Sequence, residues 1–378
     1  MPDPGALLLT GATGFLGQEL LARIVARSDR PVVALVRAAD DAAAQARVDG
    51  VLAALGEPAG RVRGVAADLE RDDLGLGALA ANALAADVTT IVHCAASVSF
   101  GLSLEASRAV NVEGTRRMLD LALRCAAFGD GLERFAYIST AYVAGRHPGR
   151  FGPEDLWHGQ RFRNPYEQSK CEAELLVRAA GEELPVQVLR PSIVMGDRRT
   201  GWTTSFNVLY QPLRAFGRGL LTMVPGRAEA PVDVVPVDYV ADGVLALLDE
   251  PLRSPQTHLL VAGDRAATVG GLGRLAGRYF GRPAPELLDP ERFERELLPA
   301  LRRNADSRTR AVLESSAALF PYFAVETRFD DPRTRALLEA RGVRCEGLES
   351  YLPRLLDFAV QTRWGRRLPA RAEVLAAA

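Results

Sequence analysis

Short apolar runs alternate with helix-like stretches along the first half of this chain, and this alternation limits its fold more than any other feature. The strand-like runs are Ala6–Leu9, Val32–Val36, Gly64–Ala67, Thr90–Cys94, Arg134–Ser139 and Val186–Arg190. The helix-like stretches between them are Gln18–Arg27, Ala39–Leu55, Ser107–Ala126 and Tyr166–Gly181. Strands that alternate with helices form βαβ units and pair in parallel. The pattern predicts an α/β fold with a Rossmann-type, doubly wound parallel sheet.

The pattern changes in the second half of the chain. Val232–Val237 is predicted to be a further strand, Tyr239–Leu248 a helix and His258–Ala262 the last strand. The segment 197–231 is rich in Gly, Pro and Arg and interrupts the alternation. We interpret it as an insertion over the carboxyl edge of the sheet. From about Thr268 onward the pattern is helical and rich in Arg and Glu.

These boundaries divide the chain into two parts. Residues 1–196 and 232–262 are predicted to form the nucleotide-binding sheet domain. Residues 197–231 and 263–378 are predicted to form a smaller, mainly helical, substrate-binding part. A chain of 378 residues is long enough for one large α/β domain with such an addition.

Composition excludes several classes of function. The net charge of −1 provides no global field to recruit nucleic acid. The four cysteines are widely spaced with no C-x-x-C pair, and the four histidines are scattered, so neither a disulfide framework nor a metal site is expected. The amino terminus lacks the basic region of a signal peptide, and no run of about 20 apolar residues is present. We expect a cytoplasmic protein.

A glycine-rich loop follows the first predicted strand and opens the first helix. It reads Thr10-Gly11-Ala12-Thr13-Gly14-Phe15-Leu16-Gly17. In this spacing Gly11 permits a tight turn, Gly14 lets a pyrophosphate approach the backbone, and Gly17 allows close helix–strand packing. The amino end of the helix then offers N–H groups and a positive dipole to the phosphates. The context predicts a dinucleotide site, whereas the spacing alone would also suit a generic strand–helix turn.

The ends of the next strands indicate which dinucleotide is bound. Arg37 follows the second strand, where a carboxylate would favour NAD and an arginine accommodates the 2′-phosphate of NADP. NADPH is therefore the predicted cofactor, although a solvated surface arginine is the alternative reading in an arginine-rich chain. Asp68 and Leu69 follow the third strand, close to where an adenine would lie. The small residues Ala95 and Ala96 follow the fourth strand and leave room for the middle of the cofactor.

Lysine occurs once in the chain, as Lys170, so the other 45 of the 46 basic residues are arginine. Lys170 lies four residues after Tyr166, which places both on one face of a helix that begins near Pro165. A tyrosine with a pKa near 10 needs a nearby cation to act as an acid–base group at neutral pH. Ser139 and Thr140 place two hydroxyls at the end of the fifth strand, the edge where such sheets bind ligands.

These motifs together resemble the extended short-chain dehydrogenase/reductases. The resemblance rests on the glycine loop, Asn111, the Ser139-Thr140 pair, Tyr166 with Lys170, and Arg190-Pro191-Ser192. It implies a catalytic set of Thr140, Tyr166 and Lys170, with Ser139 as the alternative hydroxyl and Asn111 in a proton relay. The implied cofactor-binding positions are Thr10, Gly11, Thr13, Gly14, Phe15, Leu16, Gly17, Arg37, Asp68, Leu69, Ala95, Ala96, Asn111, Tyr166, Lys170, Pro191 and Ile193.

A narrower resemblance concerns the thioester-reductase branch of that family, which includes fatty acyl-CoA reductases and the reductase domains of peptide synthetases. It rests on the loop Leu9–Gly17, on Leu35-Val36-Arg37 and on Ser139–Val143. The residues 320–352 resemble more loosely the tail of fatty acyl-CoA reductases. The resemblance implies NADPH-dependent reduction of an acyl thioester, carried by CoA or an acyl carrier protein, to an aldehyde and in a second round to an alcohol.

Two other functions fit the same motifs. One is an extended short-chain reductase or epimerase acting on a ketone or a sugar nucleotide. The other is a non-catalytic dinucleotide sensor, which would not need to keep Thr140, Tyr166 and Lys170 together. The sequence leaves the acyl chain, the thioester carrier, the final product and the oligomeric state open.

Two further features have both a functional and a packing interpretation. The aromatic and apolar residues of 197–231 either line an acyl pocket or cap the sheet: Trp202, Phe206, Leu209, Tyr210, Phe216, Leu220 and Met223. The basic amphipathic stretch 351–367 either rests on a membrane surface or packs against the second part of the molecule. For the second stretch the packing interpretation is favoured.

Overall fold

A seven-stranded parallel sheet forms the centre of the computed structural model, which describes residues 5–128, 131–206, 208–299, 303 and 319–377. The strands are β1 (Ala6–Thr10), β2 (Val32–Val36), β3 (Arg63–Ala66), β4 (Val88–His93), β5 (Arg134–Ile138), β6 (Gly149–Phe151), β7 (Val186–Pro191), β8 (Ile193–Met195), β9 (Met223–Pro225), β10 (Pro231–Val232), β11 (Val234–Pro236), β12 (Gln256–Leu260), β13 (Ala267–Thr268), β14 (Glu286–Leu288) and β15 (Thr327–Phe329).

The helices lie on both faces of the sheet and in a second layer beyond its edge. They are α1 (Phe15–Arg27), α2 (Asp41–Leu55), α3 (Ala78–Asp87), α4 (Leu104–Arg108), α5 (Gly114–Ala127), α6 (Pro165–Ala179), α7 (Tyr210–Gly217), α8 (Val237–Leu248), α9 (Val269–Phe280), α10 (Pro290–Arg292), α11 (Pro332–Ala340), α12 (Leu348–Gln361) and α13 (Arg371–Ala376).

The strand order of the central sheet is β12-β7-β5-β4-β1-β2-β3, and every neighbouring pair is parallel. The order runs outward in both directions from β1 and β4, which creates a switch point between them. A ligand binds outside the carboxyl ends of the strands at such a point. The predicted α/β, Rossmann-type fold class is confirmed, and the glycine loop after β1 lies at the switch point.

Most predicted elements of the sheet domain agree with the structure to within a few residues. Helix α3 was not predicted, because its alanine-rich sequence has little amphipathic pattern. The predicted strand Val232–Val237 is wrong as a single element: β10 and β11 belong to two different small sheets. Asp233 lies between them, and its carboxylate accepts hydrogen bonds from the backbone N–H groups of Ala262 and Gly263, both at 2.8 Å. That contact turns the chain between the two short strands.

A second hydrophobic core lies beyond the carboxyl edge of the sheet. It combines residues of α7, α9 and α12 with the segment after β5, and short parallel pairs β11–β8, β14–β9 and β15–β6 support it. Four residues of the predicted acyl pocket are at least 94% buried, and Phe206 packs against this core: Trp202, Leu209, Tyr210 and Phe216. The structure therefore assigns these side chains to packing.

Helix α12 buries its apolar face in the same core. Its buried side chains include Tyr351, Leu352, Leu355 and Leu356, so the apolar stripe of the stretch 351–367 is already covered. This is the packing interpretation of the amphipathic pattern, and the structure gives no support for a membrane contact there. None of the described helices is both long and apolar enough to cross a bilayer.

Candidate active site

The glycine loop forms a tight turn with almost no free space inside it. Gly11 has a φ of +77°, and a Cβ at that position would lie 2.8 Å from the backbone N of Ala95. A Cβ at Gly17 would lie 1.9 Å from the carbonyl oxygen of Gly11. These two glycines are therefore required by the turn and by the close packing of α1 on β1.

Gly14 leaves the amino end of α1 open to a ligand. It is the exposed N-cap of the helix, and no side chain caps the first turn. A helix start with uncapped N–H groups and a positive dipole is a site for phosphate. The donor set and the glycine cradle therefore fit the pyrophosphate of a dinucleotide.

A chain of hydrogen bonds ties the ends of β1 and β4 together behind this loop. The Thr10 hydroxyl accepts from the backbone N–H groups of Cys94 (3.1 Å) and Ala95 (3.0 Å), so its own hydrogen is directed to Nδ1 of His93 at 2.8 Å. Nε2 of His93 then donates to the Thr115 hydroxyl at 3.2 Å. Burial, with a smaller contribution from Lys170, lowers the pKa of His93 to about 3. His93 is a neutral structural residue and positions the loop.

Two arginines meet beyond the end of β2. Arg37 is exposed and lies 3.8 Å from the carboxylate of Glu70. Arg47, in the second turn of α2, donates from its guanidinium to the carbonyl oxygen of Arg37. Asp68 and Leu69 follow β3 at the same edge, where a carboxylate oxygen of Asp68 accepts from the N–H of Glu70 at 3.0 Å. Sequence reasoning missed Arg47, because its position depends on how α2 packs and not on a local motif.

Asn111 lies in a π-helical turn, Ala109–Glu113, between α4 and α5. Its Oδ1 accepts from the N–H of Ser97 at 2.8 Å, and its Nδ2 donates to the Ser97 carbonyl at 3.0 Å and to the Ser169 hydroxyl at 2.9 Å. Both amide hydrogens are therefore used. Asn111 thus connects the loop that contains Ala95 and Ala96 to helix α6, at Ser169, the residue before Lys170. A proton-relay role for Asn111 stays a prediction.

The two neighbouring hydroxyls at the end of β5 have different surroundings. The Ser139 hydroxyl donates to the buried carboxylate of Glu174 at 2.6 Å, on the side of the strand that faces α6. The Thr140 hydroxyl accepts from the N–H of Tyr142 at 3.2 Å and donates to the carbonyl oxygen of Pro191 at 3.4 Å. It lies close enough to the phenol of Tyr166 to lower the pKa of that group. The structure therefore brings Thr140, and not Ser139, to the predicted tyrosine.

Tyr166 lies at the start of helix α6, which Pro165 opens and Asn164 caps. Burial raises the pKa of Tyr166 to about 12, and the nearby Thr140 hydroxyl opposes that rise. The ammonium of Lys170 is directed to the carbonyl oxygen of Ile138 and the ring of Tyr137.

Lys170 is 2% exposed and lies one helical turn after Tyr166. Its Nζ donates to the carbonyl oxygen of Ile138 at 2.8 Å and lies 4.1 Å above the centre of the Tyr137 ring. Burial lowers the pKa of Lys170 to about 7, and the carboxylate of Glu174 partly opposes this. Cys94 lies nearby, and burial raises the pKa of its thiol to about 12, which excludes it as a nucleophile.

A buried ion pair stands behind these groups. Glu174 and Arg190 are both fully buried and joined by an Nη2–Oε1 contact of 2.6 Å. Arg190 also donates to the carbonyl oxygens of Gly152 and Asp155. The pair fixes β7 to α6 and orients Ser139, so it supports the strand end that presents Thr140.

An aromatic wall extends from the phenol of Tyr166 into the second core. Phe100 lies 5.9 Å from the Tyr166 ring and stacks on Tyr322 at 5.7 Å between ring centres. Tyr142 meets Tyr322 edge-on at 5.3 Å. The Tyr322 hydroxyl accepts from Nδ2 of Asn164 at 2.8 Å, which links this wall to the cap of the catalytic helix. Phe100 carries no local signal in the sequence, since only the tertiary fold brings it to this site.

Comparisons with known proteins agree with this geometry. The family described as male sterility protein, an NAD-binding family, matches residues 9–244. The L-2-aminoadipate reductase large subunit of Eremothecium gossypii is 33% identical over 282 residues, which cover 70% of this chain and 20% of that protein. Fatty acyl-CoA reductase 1 of Homo sapiens is 29% identical over 281 residues, covering 64% of this chain and 53% of that protein. The chain thus spans from a fifth to about half of these relatives.

Solved structures show the same architecture. The terminal R domain from the myxalamid PKS-NRPS biosynthetic pathway superposes with a TM-score of 0.81 and 28% identity, over 96% of this chain and 92% of that one. UDP-glucuronic acid 4-epimerase from Bacillus cereus, at 18% identity and a TM-score of 0.65, shares the fold over 95% of this chain and 98% of its own. The chain belongs to the male sterility protein family of extended short-chain dehydrogenase/reductases, homologous to fatty acyl-CoA reductases and to reductase domains of peptide synthetases.

Proposed function

We propose that this protein reduces an acyl thioester with NADPH. The observation that carries the proposal is the proximity of the Thr140 and Tyr166 hydroxyls, close enough for Thr140 to lower the pKa of the phenol, at the same sheet edge as the buried Lys170 and an uncapped glycine loop. The relatives named as fatty acyl-CoA reductase and aminoadipate reductase support reduction as the reaction class.

The two hydroxyls suit the charge that develops on a thioester carbonyl. A nicotinamide bound at the glycine loop would supply a hydride to the carbonyl carbon. Thr140 and Tyr166 donate hydrogen bonds to the carbonyl oxygen, where negative charge appears, and donors aimed at that position stabilise the transition state. Tyr166 then transfers its proton to this oxygen. The resulting hemithioacetal breaks its C–S bond and releases an aldehyde and a free thiol.

Lys170 has two tasks in this proposal. Its ammonium is held by the single carbonyl of Ile138, so it is free to exchange that partner for a ribose hydroxyl of the cofactor. A charged Lys170 near Tyr166 then lowers the pKa of the phenol, which burial raises to about 12. This makes proton transfer from Tyr166 compatible with neutral pH.

The preference for NADPH rests on two cations beyond β2. Arg37 is exposed at the ribose-selecting position, and Arg47 contacts its carbonyl oxygen. Two guanidinium groups favour a 2′-phosphate and offer no acceptor to a ribose 2′-hydroxyl. The Glu70 carboxylate lies 3.8 Å from Arg37 and leaves Arg47 available.

Product analysis tests the proposal. Purified protein is mixed with NADPH and acyl-CoAs of graded length, the same acyl chains on an acyl carrier protein, and a panel of ketones. Mass spectrometry should detect an aldehyde or alcohol, and a thiol reagent should detect free CoA or free carrier thiol in equal amount to the aldehyde. Turnover of ketones without thiol release would support the rival reductase. NADPH binding without turnover of any substrate would support a sensor.

A further inference from the structure

A cavity of about 540 Å³ opens beside the glycine loop. Thr13, Gln18 and Arg47 line it. Leu368 and Pro369 also line it, although they lie more than 300 positions later in the chain. We call residues 365–377 the C-terminal strap. The strap therefore lines a cavity that the cofactor loop also lines.

A sharp reversal of the chain directs the strap to this position. Helix α12 ends at Gln361, and three consecutive residues then adopt left-handed backbone conformations: Arg363 (φ 53°), Trp364 (φ 59°) and Gly365 (φ 82°). Such conformations persist where the surrounding contacts fix them. Local hydrogen bonds hold this turn: the N–H of Trp364 donates to the carbonyl oxygen of Ala359 at 2.6 Å, and the N–H of Arg367 to that of Thr362 at 3.0 Å.

Other contacts join the strap to the sheet domain. Arg371 forms a two-point ion pair with the fully buried Glu19 of α1, with Nε–Oε1 at 2.5 Å and Nη2–Oε2 at 3.2 Å. Paired contacts of this kind are geometrically specific and stronger than neutral hydrogen bonds. Helix α13 also packs on α2, where a Cβ at Gly56 would lie 3.1 Å from that of Ala372. The strap is thus anchored to α1, which follows the glycine loop, and to the end of α2.

The two arginines that line the cavity differ in their partners. Arg371 pairs with Glu19, which also pairs with Arg23, and Arg23 has Asp242 as a second carboxylate partner. Arg47 has no carboxylate within 4.0 Å among the described residues, and its guanidinium touches the carbonyl of Arg37, the ribose-selecting position. Gln18 holds Thr13 in place through a 3.0 Å bond to its carbonyl oxygen. The cavity therefore presents an unneutralised cation next to the loop that contacts the cofactor phosphates.

We propose that the C-terminal strap completes the cofactor site and closes this cavity over the 2′-phosphate of NADPH, with Arg47 as the opposing charge. The inference rests on the proposed use of NADPH. The apolar side chains of Leu368 and Pro369 form a roof that excludes water, and a charge pair strengthens as water is removed. NADH leaves the cavity empty, so the strap discriminates between the two dinucleotides.

Calorimetric titration of the full-length protein with NADPH and with NADH tests this. Arg47→Ala removes the opposing charge and should raise the Kd for NADPH about tenfold or more, since a hydrogen bond to a charged group contributes about 1.5–3 kcal/mol. Arg371→Ala releases the strap and should raise the Kd for NADPH about fivefold, by the loss of water exclusion. The Kd for NADH should change less than about twofold in both.

Arg341→Ala is the matched control, because Arg341 also pairs with a carboxylate, that of Glu250, but lies at the opposite edge of the sheet. It should leave both Kd values unchanged. A measurement on the wild-type protein needs no variant and therefore tests the inference even if the variants misfold. Hydrogen exchange of residues 366–377 should slow when NADPH binds and stay unchanged with NADH.

The outcomes separate the two proposals. Wild-type protein that binds NADH as tightly as NADPH overturns both the cofactor preference and the role of the strap. If the wild type prefers NADPH, but Arg371→Ala folds and retains that preference and the strap shows no NADPH-dependent protection, only the role of the strap is overturned. A preference that falls in Arg371→Ala, together with protection of the strap, supports the inference.

Discussion

Two cations lie buried beneath the same edge of the sheet, and they are held in different ways. Arg190 is fully buried and paired with the carboxylate of Glu174, with further bonds to backbone carbonyls. Lys170 has the carbonyl of Ile138 and the ring of Tyr137 as partners, and burial lowers its pKa to about 7. A buried charge with a carboxylate partner is fixed in place. A buried cation that is held by a carbonyl can change partners when a ligand binds. Arg190 therefore belongs to the scaffold, and Lys170 to the reactive site.

The largest expected effect comes from breaking the fixed pair. Arg190→Ala leaves Glu174 buried without its main partner and should lower the free energy of unfolding by about 3–5 kcal/mol, measured by urea denaturation. Arg108→Ala breaks the more exposed pair between Arg108 of α4 and Glu172 of α6, and should change the free energy of unfolding by less than about 1 kcal/mol. Equal losses in the two variants would contradict the contrast.

The second prediction separates the two neighbouring hydroxyls. Thr140→Ala removes a donor to the developing oxyanion and should lower kcat by about 10²–10³-fold with little change in stability. Ser139→Ala loses the bond to Glu174 and should lower stability by about 1.5–3 kcal/mol, while kcat stays within about threefold. Steady-state kinetics and urea denaturation of both variants measure this. The reverse pattern would return the catalytic role to Ser139.

The third prediction concerns Lys170, the buried cation that a carbonyl oxygen holds, and asks why this position is a lysine and not an arginine. Lys170→Arg keeps the charge, but the planar guanidinium cannot replace a compact ammonium in both of its contacts. We expect the protein to fold and kcat to fall about 10²-fold, in the range of a lost acid–base contribution. Turnover near that of the wild type would mean that any cation suffices at this position. The single lysine of this arginine-rich chain would then have no specific role.

The smallest expected effect is a pH dependence of stability. Burial lowers the pKa of Lys170 from 10.5 to about 7, so between these values the unfolded chain binds a proton that the folded protein does not. Stability should therefore rise with pH across this window, by at most about 1.4 kcal/mol per pH unit, and be independent of this group below pH 7. Urea unfolding at pH 7, 8 and 9 should show a smaller rise in the free energy of unfolding for Lys170→Met than for the wild type. Parallel pH profiles of the two proteins would exclude the effect.

The parts of the site that lie close together in sequence were predictable. The glycine loop, the spacing of Tyr166 and Lys170 and the cap at Asn164–Pro165 each depend on contacts within a few residues. The structure places Tyr166 on α6 and Gly11, Gly14 and Gly17 around the start of α1, as expected. Local sterics and helix geometry determine these features, so a single sequence contains the information.

Other parts were decided by contacts between distant segments. Thr140 rather than Ser139 meets Tyr166, because Glu174 from α6 binds the serine hydroxyl. The segment 232–237 breaks into two strands, because Asp233 binds backbone N–H groups near residue 262. Phe100 and Tyr322 lie 222 positions apart and form one stacked pair. No local pattern contains these partners.

The sequence alone determined the sheet topology class, the cofactor loop and the types of group available at the sheet edge, because periodicity and short-range geometry govern them. The tertiary structure decided which of those groups meet and in what state of charge. Lys170 shows the division: its spacing from Tyr166 follows from the helix, but its low pKa follows from burial against β5 and the Tyr137 ring. Desolvation depends on everything packed around a group, and only the folded chain specifies that.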